Sequence, residues 1–186
     1  MPVKSTTRYA VLGLLAIKPM SAYELVKFSN ETIGFFWNES YGNIHRMLRK
    51  LEYENMIFLI QDLPSGRRKK TYTTTEKGHQ QLKAWLQKPP EEIILRDELL
   101  LKLFMSEQED ITQMCMILQQ ELEEMTKGLA ILNEVHREIE GMDQDQTRKA
   151  FWLLTLNYGK SYAKTRQTWC QEAIDQLNQI ERTKFT

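Results

Sequence analysis

The 186-residue sequence predicts a mainly α-helical fold with one small β-hairpin, and three observations predict it. Apolar residues recur at spacings of three and four over most of the chain. One short stretch near residues 57–74 is instead β-branched and aromatic, with Pro and Gly in its middle. The adjacent prolines Pro89 and Pro90 then separate two halves of opposite charge. Residues 1–90 hold 14 Lys and Arg against 7 Asp and Glu, and residues 91–186 hold 11 against 18, so overall neutrality conceals halves of +7 and −7. A basic unit joined to an acidic one is the pattern of a nucleic-acid-binding module with a second module behind it. The expected division is 1–88 and 91–186.

Each element follows from local chemistry. Tyr9, Leu12, Leu15 and Ala16 form a helical stripe over Thr7 to Ile17, which Lys18-Pro19 ends. Ser21 and Glu24 have the spacing of a capping box, opening a short second helix from Tyr23 to Phe28 that Gly34 breaks. A third helix starts near Asn38 to Ser40, carries Ile44, Met47, Leu48 and Leu51 on one side, and ends at Glu54, with Asn55 suited to the left-handed residue beyond it. Ile57 to Ile60 and Thr71 to Thr74 read as two strands around a turn, and Thr75-Glu76 starts another helix that runs through Leu82 and Trp85.

Beyond the prolines almost everything reads as helix. Ile111, Cys115, Leu118, Leu122, Met125, Leu129, Leu132, His136 and Ile139 make a heptad seam. A polar turn at Gly141 to Gln146 leads into a last helix over about Thr147 to Gln179, whose apolar side reads Phe151, Leu154, Tyr158, Tyr162, Thr165 and Trp169. Two seamed helices joined by a short loop predict an antiparallel, coiled-coil-like hairpin. Its excess aromatic surface, at Tyr158, Tyr162, Thr165 and Trp169, is expected to be covered by a second subunit as a dimer interface.

Three helices followed by a strand, a basic turn and a return strand outline a winged helix-turn-helix. Turning the third helix's apolar stripe inward puts Gly42, Arg46, Arg49 and Tyr53 on its outer side, with Asn43, His45 and Lys50 on the flanks. That face is small at its start and cationic in its middle. The major groove of DNA admits a helix, phosphates attract Arg and Lys, and Asn or Arg pairs bidentately with base edges. The candidate DNA contacts are therefore Tyr23, Ser40, Tyr41, Asn43, His45, Arg46, Arg49 and Lys50, joined by Arg67, Arg68, Lys69 and Lys70 at the hairpin tip.

Several stretches resemble the PadR-like transcriptional regulators, in particular the longer subtype with a C-terminal helical dimerisation domain. They are Tyr9-Ala-Val-Leu-Gly-Leu-Leu15, Met20-Ser-Ala-Tyr-Glu-Leu25, the run from Asn43 to Glu52, the run from Lys70 to Gly78, Arg96 to Lys102, and the region of Trp169. The resemblance implies a dimeric winged-helix regulator bound to a palindromic operator in double-stranded DNA, commonly a repressor released by a small, often aromatic, effector. The chain departs from the family pattern at His45-Arg46, usually Tyr-Pro, and at Asn55, usually Gly. The first departure adds a charge and a titratable ring to the reading helix.

Other classes find little support. His45, His79 and His136 lie far apart, and no HExxH, phosphate-binding glycine loop or nucleophile elbow accompanies them, so no enzyme, metal or cofactor is expected. Cys115 and Cys170 read as helix-packing residues, and the absence of a disulfide pattern fits a reducing, cytoplasmic setting. The apolar run from Tyr9 to Ile17 is too short to span a membrane and has no signal-peptide cleavage pattern. The competing reading is a coiled-coil adaptor whose basic half binds a protein. Aromatic residues at Phe35, Phe36, Trp37, Trp85, Phe104, Trp152, Tyr158 and Trp169 read mostly as core, with some lining an effector pocket between the domains, and no effector-binding residue is assigned.

Overall fold

The computed structural model describes residues 6–60, 70–93 and 95–183, and the chain divides into two compact units, Met1–Ile93 and Ile94–Thr186. The first unit runs α1 (Thr7–Ile17), β1 (Met20–Ser21), α2 (Ala22–Thr32), α3 (Tyr41–Tyr53), β2 (Ile57–Ile60), β3 (Thr71–Thr74) and α4 (Glu76–Leu86). Its strands form an antiparallel sheet in the order β1-β3-β2, with Tyr72 opposite both Met20 and Leu59. The two-residue β1 was not foreseen, and α2 runs one turn past Phe28, to Thr32.

The expected caps are in place. The Ser21 hydroxyl accepts the Glu24 amide while Glu24 Oε2 accepts the Ser21 amide at 3.0 Å, so two otherwise unpaired donors are satisfied reciprocally. Asn55 adopts φ 57° just after α3, which turns the chain from helix into β2. The α4 start is seated on this corner: the Thr75 amide donates to Met56 O, the Thr75 hydroxyl to Asn55 O and the Lys77 ammonium to Glu54 O. The core beneath is apolar and closed. Leu12, Leu15, Leu25, Ile44, Leu48, Leu51 and Ile57 are buried from four different elements, which fixes α3 with its other side to solvent.

The second unit contains α5 (Glu98–Met105), a 3₁₀ turn at Gln108–Asp110, α6 (Ile111–Gly141) and α7 (Gln146–Arg182). The last two pack as an antiparallel hairpin: Glu140 O accepts from Lys149 near the connection, and the Cys115 thiol faces Asn178 at the far end. The α6 seam faces inward as expected, with Ile111, Leu118 and Ile139 buried along it. The α7 seam does not. Leu156, Gly159, Ala163 and Cys170 are its buried positions, whereas Phe151, Leu154, Tyr158, Tyr162 and Thr165 are exposed. The physical reason is size: small residues let two helix backbones approach, and a row of aromatic rings would hold them apart. Trp169 is intermediate, packed beside the Leu99, Leu118 and Cys170 cluster with the Arg166 guanidinium 5.0 Å from its ring centre.

Candidate nucleic-acid interface

The amphipathic α3 gives the first unit its distinctive surface. Ile44, Met47, Leu48 and Leu51 are buried, and Gly42, Asn43, Arg46, Arg49, Lys50 and Tyr53 are exposed, the division that the 3.6-residue period requires. Among the described residues, no ion pair or hydrogen bond engages the Arg46, Arg49 or Lys50 side chains. Two contacts from α1 hold the helix at its ends. The Thr7 hydroxyl donates to Glu39, just before the start of α3, and Arg8 pairs with Glu54, the residue that closes it.

Ser40 is the N-cap, its hydroxyl accepting the Asn43 amide at 3.2 Å. That leaves the Ser40 hydroxyl proton available to an external acceptor. The Asn43 side chain donates through Nδ2 to Glu39 Oε2 at 3.1 Å, a contact invisible in a helical wheel.

Beside α3 lies an open cleft of about 640 Å³, where the start of α2, the start of α3 and the base of the β-hairpin meet. Tyr23, Glu24, Lys27, Tyr41, His45, Lys70 and Tyr72 are among its lining. Tyr23 is 71% exposed and Tyr41 53%, so both hydroxyls are presented rather than packed. Burial, reinforced by the Glu52 charge and opposed by Arg49, raises the Tyr72 phenol above its usual range. The cleft thus combines two lysines, an imidazole and three phenols with the Glu24 carboxylate on a concave surface.

Of the expected contacts, the structure thus gathers Tyr23, Tyr41, His45 and Lys70 at one cleft and places Asn43, Arg46 and Arg49 on the adjoining helix face. Lys50 sits apart from the cleft, lining a recess of about 890 Å³ with Arg8, Trp37 and the stacked rings of Tyr9 and Trp85, whose centres are 4.7 Å apart. Arg67, Arg68 and Lys69 lie outside the described residues. Three residues were missed: Lys27, one helical turn beyond Tyr23 and findable by that spacing; Tyr72, which reads only as part of a strand; and Glu39, whose partners depend on a fold contact with α1.

The second unit presents a different surface. Phe151, Leu154, Tyr158 and Tyr162 are between 52% and 67% exposed along one side of α7. Inside, burial pushes both thiols up from their ordinary pKa, with the Glu181 charge adding to the effect at Cys115, so neither is poised as a thiolate. Among the described residues, no group of His, Cys, Asp and Glu is arranged to hold a metal ion, and no helix is long and apolar enough to cross a membrane.

A helix-turn-helix followed by a small antiparallel sheet with a basic cleft at its base defines a winged-helix protein. The family described as "Transcriptional regulator PadR-like family" matches residues 11–84, and the one described as "Virulence activator alpha C-term" matches 95–178. The first unit thus carries a domain of the PadR-like transcriptional regulator family, and the second a C-terminal region of the virulence-activator type. It is 35% identical over 101 residues to the negative transcriptional regulator PadR of Bacillus subtilis (strain 168), covering 52% of this chain and 54% of that protein. The chain spans about half the length, or less, of the curated relatives it matches.

Among solved structures, the fold is similar to that of B. subtilis PadR in complex with operator DNA, with TM-score 0.78 and 22% identity over 92% of this chain and 99% of that one. It is likewise similar to the same protein in complex with p-coumaric acid, with TM-score 0.71 and 23% identity over 92% and 98% of the two chains.

Proposed function

We propose that this chain is a sequence-specific DNA-binding transcriptional regulator, working as a homodimer in the cytoplasm and without catalytic activity. The observation that carries this reading is the exposed face of α3. Asn43, Arg46 and Arg49 stand clear of the core with an open cleft holding Lys27 and Lys70 beside them. In a complex, α3 enters the major groove, Asn43 and Arg46 meet base edges, and Tyr23, Tyr41, His45 and Lys70 hold the flanking backbone. The hairpin tip, Arg67 to Lys69, reaches the backbone or the minor groove.

Residues 91–186 form the dimerisation unit, in which a second copy covers the α7 face at Tyr158, Tyr162 and Thr165, with Trp169 at its edge. The PadR bound to operator DNA supports the DNA ligand, and the name of the negative regulator supports repression. The p-coumaric acid complex supports a small aromatic acid as the releasing effector. The recess of Tyr9, Trp37 and Trp85 offers aromatic rings to such an acid, with Lys50 and Lys88 as its cations beside the Glu91 and Glu92 carboxylates.

A gel-shift series with genomic fragments at several salt concentrations tests the reading. DNA binding requires log affinity to fall linearly with log salt, and a protein-binding adaptor retains no fragment.

A further inference from the structure

Asn43 is the first polar side chain on the groove-facing side of α3, and it does not stand free. Glu39 holds it from outside the helix: one carboxylate oxygen accepts the Thr7 hydroxyl of α1, and the other accepts Asn43 Nδ2 at 3.1 Å. An ionised carboxylate only accepts hydrogen bonds, so the group turned toward Glu39 must be the NH₂ of Asn43 and not its carbonyl. This settles the orientation of an amide that would otherwise flip. The carbonyl oxygen and the second N–H are left for an external partner. One acceptor beside one donor matches the N6 donor and N7 acceptor that adenine shows in the major groove. Glu39 also brings a negative charge to the start of a helix otherwise lined by cations, where it repels the phosphates of any sequence.

Resting on the DNA-binding reading, we propose that Glu39 is a specificity-determining positioning residue: it fixes the Asn43 amide in the adenine-reading orientation, while its charge lowers the affinity for all DNA. The two effects are separable. Preorganisation favours the correct base pair, because the amide need not be ordered on binding, whereas charge repulsion lowers affinity for every sequence alike and leaves the ratio between sequences unchanged.

The test uses the full chain and a duplex selected by it from a random-sequence library, beside a mixed-sequence duplex of equal length at the same salt. Glu39→Ala should bind the mixed duplex several-fold tighter and lose about tenfold in discrimination at the base pair facing Asn43, as 1.4 kcal/mol of a bidentate contact implies. In an Asn43→Ala background, Glu39→Ala should cause no further loss of discrimination.

Glu39→Gln separates the two effects. Its amide oxygen still accepts from Asn43 and its NH₂ still reaches the Thr7 oxygen, so discrimination should return while mixed-sequence binding stays raised. A thermal melt of each variant identifies loss through misfolding. Unchanged discrimination in a folded Glu39→Ala, or an equal loss with and without Asn43, overturns the proposal while leaving the DNA-binding reading intact. A parent chain that enriches no duplex overturns both.

Discussion

Arg166 of α7 grips Asp97 with both arms of its guanidinium, Nη1 to Oδ2 at 2.7 Å and Nη2 to Oδ1 at 3.3 Å, while the same Oδ1 accepts the Leu99 and Leu100 amides that open α5. Its Nε donates to Glu121 of α6 at 2.9 Å, so three helices of the second unit meet at one cation. Burial works against the Arg166 charge, but its bonds to Asp97 and Glu121 outweigh it and raise the pKa. Arg166→Met should therefore cost about 3–5 kcal/mol in urea unfolding, because it strands two partly buried carboxylates.

The pH dependence follows from Asp97. The Arg166 hydrogen bond, helped by the α5 amides and opposed by burial, holds its carboxyl below the usual value of 3.8. A depressed carboxylate pKa stabilises the fold above the unfolded-state value, and that contribution drains away as pH falls through the lower, folded value. The parent chain should hold this stability from neutral pH down to about pH 4 and lose it below. The same acid titration on Arg166→Met should lack this component of the fall.

Adjacent residues on α7 should respond in opposite ways. Ala163 is buried against α6, so Ala163→Leu should destabilise the hairpin by about 1–3 kcal/mol through overpacking. Tyr162→Ala removes a side chain 52% exposed in the protomer, and should leave the helical unit's melting nearly unchanged while weakening self-association in sedimentation velocity.

Two glycines of the first unit make a similar contrast. A Cβ at Gly78 would lie 2.2 Å from Met56 O, whereas one at Gly42 would meet nothing within 4 Å. Gly78→Ala should cost about 1–3 kcal/mol by lifting α4 off the corner after α3. Gly42→Ala should leave the melt unchanged, and any effect should appear in DNA affinity alone.

These contrasts mark where the sequence was legible. The Ser21–Glu24 box, the two-faced α3 and the turn at Asn55 are local: every residue that decides them lies within a few positions, and side-chain chemistry alone names the geometry. β1 escaped because two residues show no periodicity and pair only with Thr71 and Tyr72, about fifty positions away. The α7 positions that pack on α6 were not named, because hydrophobicity ranks Tyr158 and Tyr162 above Gly159 and Ala163, whereas close helix packing selects by volume. At the site, the cations of α3 were legible from a wheel. The Thr7–Glu39–Asn43 chain was not, since its Thr7–Glu39 link joins residues 32 positions apart and exists only once α1 is folded against α3.

Reading helix and wing should fail differently on DNA. Arg46→Ala should relax base preference at a cost of roughly 1–3 kcal/mol on a selected site. Alanine at Arg67, Arg68, Lys69 and Lys70 should weaken all sequences alike and flatten the salt dependence by up to about 0.9 in slope for each phosphate contact removed. Affinity measured for both variants on selected and mixed duplexes across a salt series checks the distinction.

The most direct measurement is to sequence the DNA enriched by the purified full chain from a random library, then weigh the complex formed on the enriched duplex. Two copies related by a twofold axis present two α3 helices to one side of the duplex, which calls for an inverted repeat with half-site centres about 10–10.5 base pairs apart, or a multiple of that. The account predicts such a repeat, two chains for each palindromic site, and an affinity that falls steeply with salt. A single unrepeated half-site held by one chain would contradict the dimer, and a library with no enriched motif would contradict sequence-specific DNA binding itself.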